Sequence, residues 1–200
     1  MMSFTNIAKG SDLDVLAAVL NDSWNTKVDA ATMRLRLSSG LPFVIAYDDA
    51  TVEDCECLRS LGLTVGSRIP VGILETIDLI SRGSYANVPL TYDALTNNGK
   101  WRKKLDGSDT LIFVDVTLLP SRRGKDTGRM LMSYALVYLA KNTGHSYFWT
   151  YTPDIEKVKR WHEGFGAIYS HHVIQNARPF FRVPSVSLMD YSHYVDSLRK

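Results

Sequence analysis

The chain has 200 residues and a mass of 22.5 kDa, enough for one domain with a sizeable core, and its 45% apolar and 22% charged residues are ordinary for a globular protein. A net charge of +2 is too small to argue for a nucleic-acid partner, and none is expected. Its two cysteines, Cys55 and Cys57, have no nearby companions, so they make neither a disulfide framework nor a metal cluster, and no metal is expected. No apolar run reaches membrane-span length and Met1 is not followed by an apolar signal core, so a cytoplasmic protein without membrane contacts is expected.

Ser3 to Ala8 reads as a short edge strand. Ser11 or Asp12 then caps a helix whose apolar positions, Leu13, Leu16, Ala17 and Leu20, have amphipathic spacing. A second helix is predicted from Asp29 to Ser38, closed by Gly40, and in the intervening Asn21 to Lys27 the residue Trp24 reads as core. Leu41 to Tyr47 is a strand with Asp48-Asp49 as its turn, and Thr51 to Leu61 a short helix ended by Gly62. In the next strand, Pro70 to Leu79, Gly72 allows a close backbone approach or a bulge. Glu75 and Asp78 lie on that strand.

From Ser81 to Thr110 turn formers and scattered aromatics replace long apolar runs. So long an irregular segment in a compact domain predicts a lid, pocket wall or interface over 80–110. Within it Thr91 to Leu95 fits a helical turn. Lys100-Trp101-Arg102-Lys103-Lys104 fits either a solvated face anchored by its tryptophan or an anion-facing flap.

Leu111 to Leu119 is almost uniformly apolar, the pattern of a strand covered on both faces, and Asp115 is its one charge. Pro120 ends it, because proline has no N–H for a sheet ladder. Beyond a basic turn containing Gly124 and Gly128, the residues Met130, Leu131, Tyr134, Ala135, Tyr138 and Leu139 recur at threes and fours, one face of a helix that stops at Asn142 and Gly144. Backbone N–H groups of the turn and of the first helical turn converge where a phosphate can be held. Arg122, Arg123, Lys125 and Arg129 sit at the positive end of this helix, where they need an anion or an acidic neighbour.

His145 to Tyr151 is a further strand, closed by Pro153. Asp154 is expected to cap a helix with Ile155, Val158 and Trp161 on one face, ended by Gly164 and Gly166. Ala167 to Ile174 and Ser185 to Asp190 read as a closing antiparallel pair, in which alternation lets only one of His171 and His172 face a cleft. Gln175 to Pro184, with Phe180-Phe181, is expected to cover one end of a pocket, and His193 and Tyr194 to lie in a tail or last helical turn.

A strand ending in hydrophobic-x-Pro, then Arg-Arg-Gly-Lys, then a glycine opening a helix, resembles the acyl-CoA-binding signature of the GNAT (Gcn5-related N-acetyltransferase) superfamily. On its pattern, Arg/Gln-x-x-Gly-x-Gly/Ala, the matching residues are Arg123, Asp126 and Gly128. Asp126 replaces the middle glycine, keeping the N–H and adding a negative charge beside the expected pyrophosphate. Either its carboxylate turns outward toward Arg122, Lys125 or Arg129, or CoA binding is weakened. Ser146 to Tyr151 resembles the splayed fifth strand, and Trp161-His162-Glu163-Gly164-Phe165-Gly166-Ala167 resembles the Phe-Tyr-Glu-Lys-x-Gly-Phe segment that ends the fourth main helix.

The resemblance implies a single α/β domain over 1–200 with the GNAT fold: a mixed, mostly antiparallel central sheet, helices on both faces, and a splayed parallel pair at the acyl-CoA site. It implies acetyl-CoA or another acyl-CoA as co-substrate, held by Leu118, Leu119, Arg123, Gly124, Lys125, Asp126, Thr127, Gly128 and Arg129. A backbone N–H near Thr117 to Leu119 would polarise the thioester. For the base the residues offer Asp115 and Glu75, since a buried carboxylate needs a partner or a task; the alternative is a structural ion pair across the sheet. His162 stands where the superfamily has the tyrosine that protonates the CoA sulfur. It is read either as a proton relay or donor near neutral pH or as a helix-end residue suited to the dipole, with Tyr169 or Tyr151 as substitutes.

The implied activity is acetyl-CoA-dependent N-acyl transfer to an amine of a small molecule or peptide. Two alternatives stay open. One is a malonyl-thioester decarboxylase or S-acyltransferase working with a carrier protein, as in the GNAT-like domains of polyketide assembly lines. The other is a non-catalytic GNAT-fold binding protein. A homodimer paired through the C-terminal strands is implied by analogy alone.

Overall fold

The computed structural model describes residues 1–24, 27–89, 103–175 and 185–200. Seven strands, β1 (Ser3–Thr5), β2 (Phe43–Asp49), β3 (Arg68–Leu79), β4 (Thr110–Leu118), β5 (Tyr147–Pro153), β6 (Ile168–Gln175) and β7 (Ser185–Asp190), form one sheet in the order β1-β2-β3-β4-β5-β7-β6. The pairs β1/β2, β2/β3, β5/β7 and β6/β7 are antiparallel, and β4/β5 is parallel. Register between β4 and β5 runs from Thr110/Tyr147 to Phe113/Thr150, which covers only the first part of the nine-residue β4. The helices are α1 (Leu13–Trp24), α2 (Ala30–Leu37), α3 (Val52–Cys57), α4 (Thr127–Asn142), α5 (Glu156–Glu163) and α6 (Ser192–Arg199).

By internal contacts the chain divides into two compact units, 1–38, 42–75 and 115–135 in one, 39–41, 76–114 and 136–200 in the other. In the first, Leu13, Leu16, Ala17 and Leu20 of α1 pack with Met33 of α2 against Ile45, Tyr47 and Ile73. Asp29 caps α2, its carboxylate accepting the Thr32 N–H at 2.7 Å. The Tyr47 hydroxyl reaches Asp12 at 2.6 Å, which explains a carboxylate in that core. Gly72 has no side chain because a Cβ there would collide with Leu118 and lie 2.9 Å from the Thr117 carbonyl oxygen. The register of β2 against β3 shifts beside it, between Ala46 and Tyr47.

In the second unit the core joins Ile77, Leu79, Ile112, Val114, Trp149, Tyr151, Val186 and Leu188. Of the tail or last helical turn expected at residues 193 and 194, the structure has the helical form, the two-turn helix α6, in which Val195 is buried and Arg199 donates to the carbonyls of Ala140, Thr143 and His145. Asp154 does not cap α5. That helix starts from Ile155, and the Asp154 carboxylate instead accepts from Ser187 Oγ and Lys159 Nζ, each at 2.9 Å. Register between β6 and β7 shifts between Ser170 and Val173, so strict alternation is interrupted at His171 and His172, whose side chains lie outside the description. The expected helical turn at Thr91 to Leu95, residues 100–102 of the basic run and the segment 176–184 also lie outside the described residues.

Gly72→Ala should lower the unfolding free energy by about 1–3 kcal/mol through overpacking. Gly10→Ala, with nothing within 4 Å of the added Cβ, should stay within about 0.5 kcal/mol of the parent in the same urea titration.

Candidate active site

Beyond β4 the chain makes a tight 3-10 turn at Pro120–Arg122, passes through Gly124 at φ +71°, and enters α4 at Thr127. Arg122 and Arg123, adjacent in sequence, go opposite ways. Arg122 is buried: its guanidinium meets Asp54 at 2.5 Å, Asp48 at 2.9 Å and the Asp49 carbonyl at 2.9 Å. Ser121 also donates to Asp54, which is 0% exposed. Burial by itself would raise the Asp54 carboxyl, but hydrogen bonds from Arg122, Ser121 and Thr51 outweigh it and hold the group at about 2. The acid that justifies Arg122 is therefore Asp54, and Arg122 is not free to meet a phosphate or Asp126.

Arg123 is 2.5 Å from Asp22 and 2.9 Å from Ser23 Oγ, and its Nε donates to the Leu118 carbonyl at 3.1 Å. Lys125 donates to the Ser121 carbonyl at 2.7 Å and approaches Glu53 at 3.9 Å. Asp126 and Arg129 are exposed. No acceptor among the described residues takes the backbone N–H groups of Gly124 through Arg129; Met130, donating to the Asp126 carbonyl at 2.9 Å, is the first to close onto the helix. An anion such as a diphosphate fits this turn on backbone donors and the helix dipole. Gly128 sits under Leu118, where a Cβ would come within 3.2 Å of Cδ1. The Leu119 N–H is already donated to the Val71 carbonyl at 3.0 Å, so it cannot polarise a thioester.

On the same strand, Asp115 lies beside Glu75 of β3, and both approach Arg36 of α2, Glu75 at 3.2 Å and Asp115 at 3.6 Å from Nη1. The two carboxyls are 2% and 5% exposed and share a hydrogen bond. Burial and then the negative charge of Asp115 raise the Glu75 carboxyl far above the usual carboxylate range, and Arg36 offsets them only in part. The pair thus keeps one proton near neutral pH, the state of a site able to take and return another.

Thr117 follows two residues on and gave no signal in the sequence beyond being a polar residue in an apolar strand. It is 2% exposed, and its Oγ1 has no hydrogen-bond partner among the described residues. Leaving such a group unpaired costs about 1–3 kcal/mol.

His162 belongs to the second unit, at the last turn of α5. It is buried with Nδ1 2.5 Å from the Tyr191 hydroxyl. Burial lowers its pKa to about 4 and raises that of Tyr191, so the ring is neutral near pH 7 and no imidazolium is present there to act as an acid. Of the two substitutes, Tyr151 gives its hydroxyl to the Pro89 carbonyl at 2.5 Å and Tyr169 lies with its ring 4.6 Å from Lys159 Nζ.

No protein-family profile and no curated protein sequence matches the chain. Solved structures do. The chain is similar to the loading GNATL domain of CurA from Lyngbya majuscula, 17% identical over 96% of this chain and 97% of that one, with a TM-score of 0.63. It is similar to a GNAT-superfamily phosphinothricin acetyltransferase from Sinorhizobium meliloti, solved with acetyl-CoA, at 16% identity over 94% and 86% and a TM-score of 0.61. The GphF GNAT-like decarboxylase, solved with isobutyryl-CoA, matches at 14% over 95% and 97% with a TM-score of 0.61. The chain has the GNAT fold.

Arg122→Ala leaves Asp54 buried and unpaired and should cost about 3–5 kcal/mol, whereas Arg123→Ala, at an exposed pair, should cost under about 1 kcal/mol, both read from urea unfolding. For His162, the folded pKa lies below the unfolded one, so the unfolded chain binds the extra proton as pH falls from about 6.5 to about 4, and stability drops by about 3 kcal/mol across that window. His162→Asn should remove that part of the slope, measured as the difference between the two stability-versus-pH curves.

Proposed function

We propose that the protein is an acyltransferase that moves an acyl group, acetyl in the first instance, from a CoA thioester to an amine of a small molecule or peptide. The observation that carries this reading is the combination, within one compact unit, of a turn with uncommitted backbone N–H groups and a buried carboxyl pair that shares a proton. Likeness in fold to acetyltransferases solved with acetyl-CoA supports it.

When bound, an acyl-CoA supplies an activated carbonyl on a breakable carbon–sulfur bond. The N–H groups of Gly124 through Arg129, with the Arg129 side chain, are assigned to the diphosphate, and Leu118 to the wall above it. Asp115, with Glu75 beside it, takes the proton an ammonium must lose before its nitrogen lone pair can attack. Arg36 keeps the pair's charge tolerable in a buried site. The pair then returns that proton to the departing sulfur.

A second reading follows from the likeness to the CurA domain and the GphF decarboxylase: decarboxylation of a malonyl thioester or acyl transfer to a carrier protein. Calorimetric titration with acetyl-CoA and malonyl-CoA tests both. Saturable acetyl-CoA binding, lost in Gly128→Trp, is expected, and no binding of either thioester would overturn the proposal. Release of carbon dioxide from malonyl-CoA would move the assignment to the second reading.

A further inference from the structure

We infer that Thr117 is a further catalytic residue, whose hydroxyl donates a hydrogen bond to the acyl carbonyl oxygen; this rests on the acyl-transfer reading above. Its direction follows from the strand. Leu118 points to the face occupied by α4, since its side chain lies over Gly72, beside Leu131, and over Gly128. Successive residues of a strand point to opposite faces, so Thr117 points the other way, and so does Asp115 two residues before it. That is the face on which Asp115 meets Glu75 and Arg36 of α2.

The Leu119 N–H is spent on Val71 and is not available to an acyl oxygen. Thr117 Oγ1 is buried and, among the described residues, has no acceptor for its proton. Valine has the same shape and would fill the space without an unmatched polar group, so a threonine here gives something up unless an acceptor arrives. A carbonyl oxygen is such an acceptor, and it accepts more strongly as it gains charge.

The step balances without another reactant. The amine nitrogen forms a bond to the carbonyl carbon while the carbon–oxygen π pair moves onto oxygen. Thr117 keeps its proton and donates the hydrogen bond throughout, and the proton of the amine goes to the carboxyl pair; the carbonyl re-forms as the carbon–sulfur bond breaks, its electron pair leaving on sulfur as a thiolate that takes the proton back from the pair.

Acetyl-CoA carrying carbon-13 at the carbonyl, bound to the full chain, tests this by isotope-edited infrared spectroscopy, which needs no acceptor. The labelled band should fall to lower frequency than in free acetyl-CoA for the parent and for Thr117→Ser, and return toward the free position in Thr117→Val. Turnover of Thr117→Val with any accepted amine should fall about a hundredfold. Should the valine variant not fold, Thr117→Ala reads the same band. Acetyl-CoA binding with the band unchanged on loss of the hydroxyl overturns the inference and leaves acyl transfer standing. Absence of acetyl-CoA binding to the parent overturns both.

Discussion

A guanidinium buried against two carboxylates fixes the turn on which the candidate site depends. Arg122 is drawn inward by Asp54 and Asp48, and Ser121 beside it follows. Removing these charges from water is expensive, and the arrangement holds only because nearly every lone pair and N–H finds a counterpart. The turn is thereby pinned from beneath, so its outer side presents peptide N–H groups rather than a mobile basic loop. Arg123 is engaged as well, by Asp22 and Ser23 at the end of α1. Of four basic residues at the head of α4, Arg122 and Arg123 are held closely by protein acids and Lys125 lies 3.9 Å from a third, Glu53. An anion bound at this turn would then be met mainly by the backbone, with Arg129 at its margin.

The carboxyl pair obeys the same electrostatics with the opposite result. Asp54 meets a cation and three hydrogen-bond donors and stays ionised down to low pH, whereas Glu75 has a like charge beside it and a cation shared with that neighbour. Deeper burial and a like charge leave Glu75 poised to exchange protons, whereas Asp54, matched by a cation and donors, is structural.

The strand Leu111 to Leu119, the helix after it and the signature at Arg123, Asp126 and Gly128 were legible because they are local: periodicity, a proline stop and glycine spacing all act within a few residues. Asp115 was legible as a solitary charge, and its partner Glu75 as a charge on the neighbouring strand. The orientation of Arg122 was not, because neighbouring identical residues are told apart only by Asp54, 68 positions away. His162 read equally well as an acid or as a helix-end residue; its burial, with Tyr191 from 29 positions on against the ring, decides its charge. Asp154 looked like a cap until Ser187, on another strand, claimed it. Thr117 carried no pattern at all, since an unmatched hydroxyl is defined by what surrounds it.

Asp126 has a consequence for how such turns are recognised. Among the described residues the only non-glycine with positive φ is Arg82, so Asp126 occupies backbone space open to any L-residue. The left-handed position is Gly124, two residues earlier. In this turn the position that requires a glycine is Gly124, and the middle position of the signature does not require one. The shape of this turn is therefore carried by the backbone angle at Gly124, and a side chain at position 126 costs it nothing in conformation.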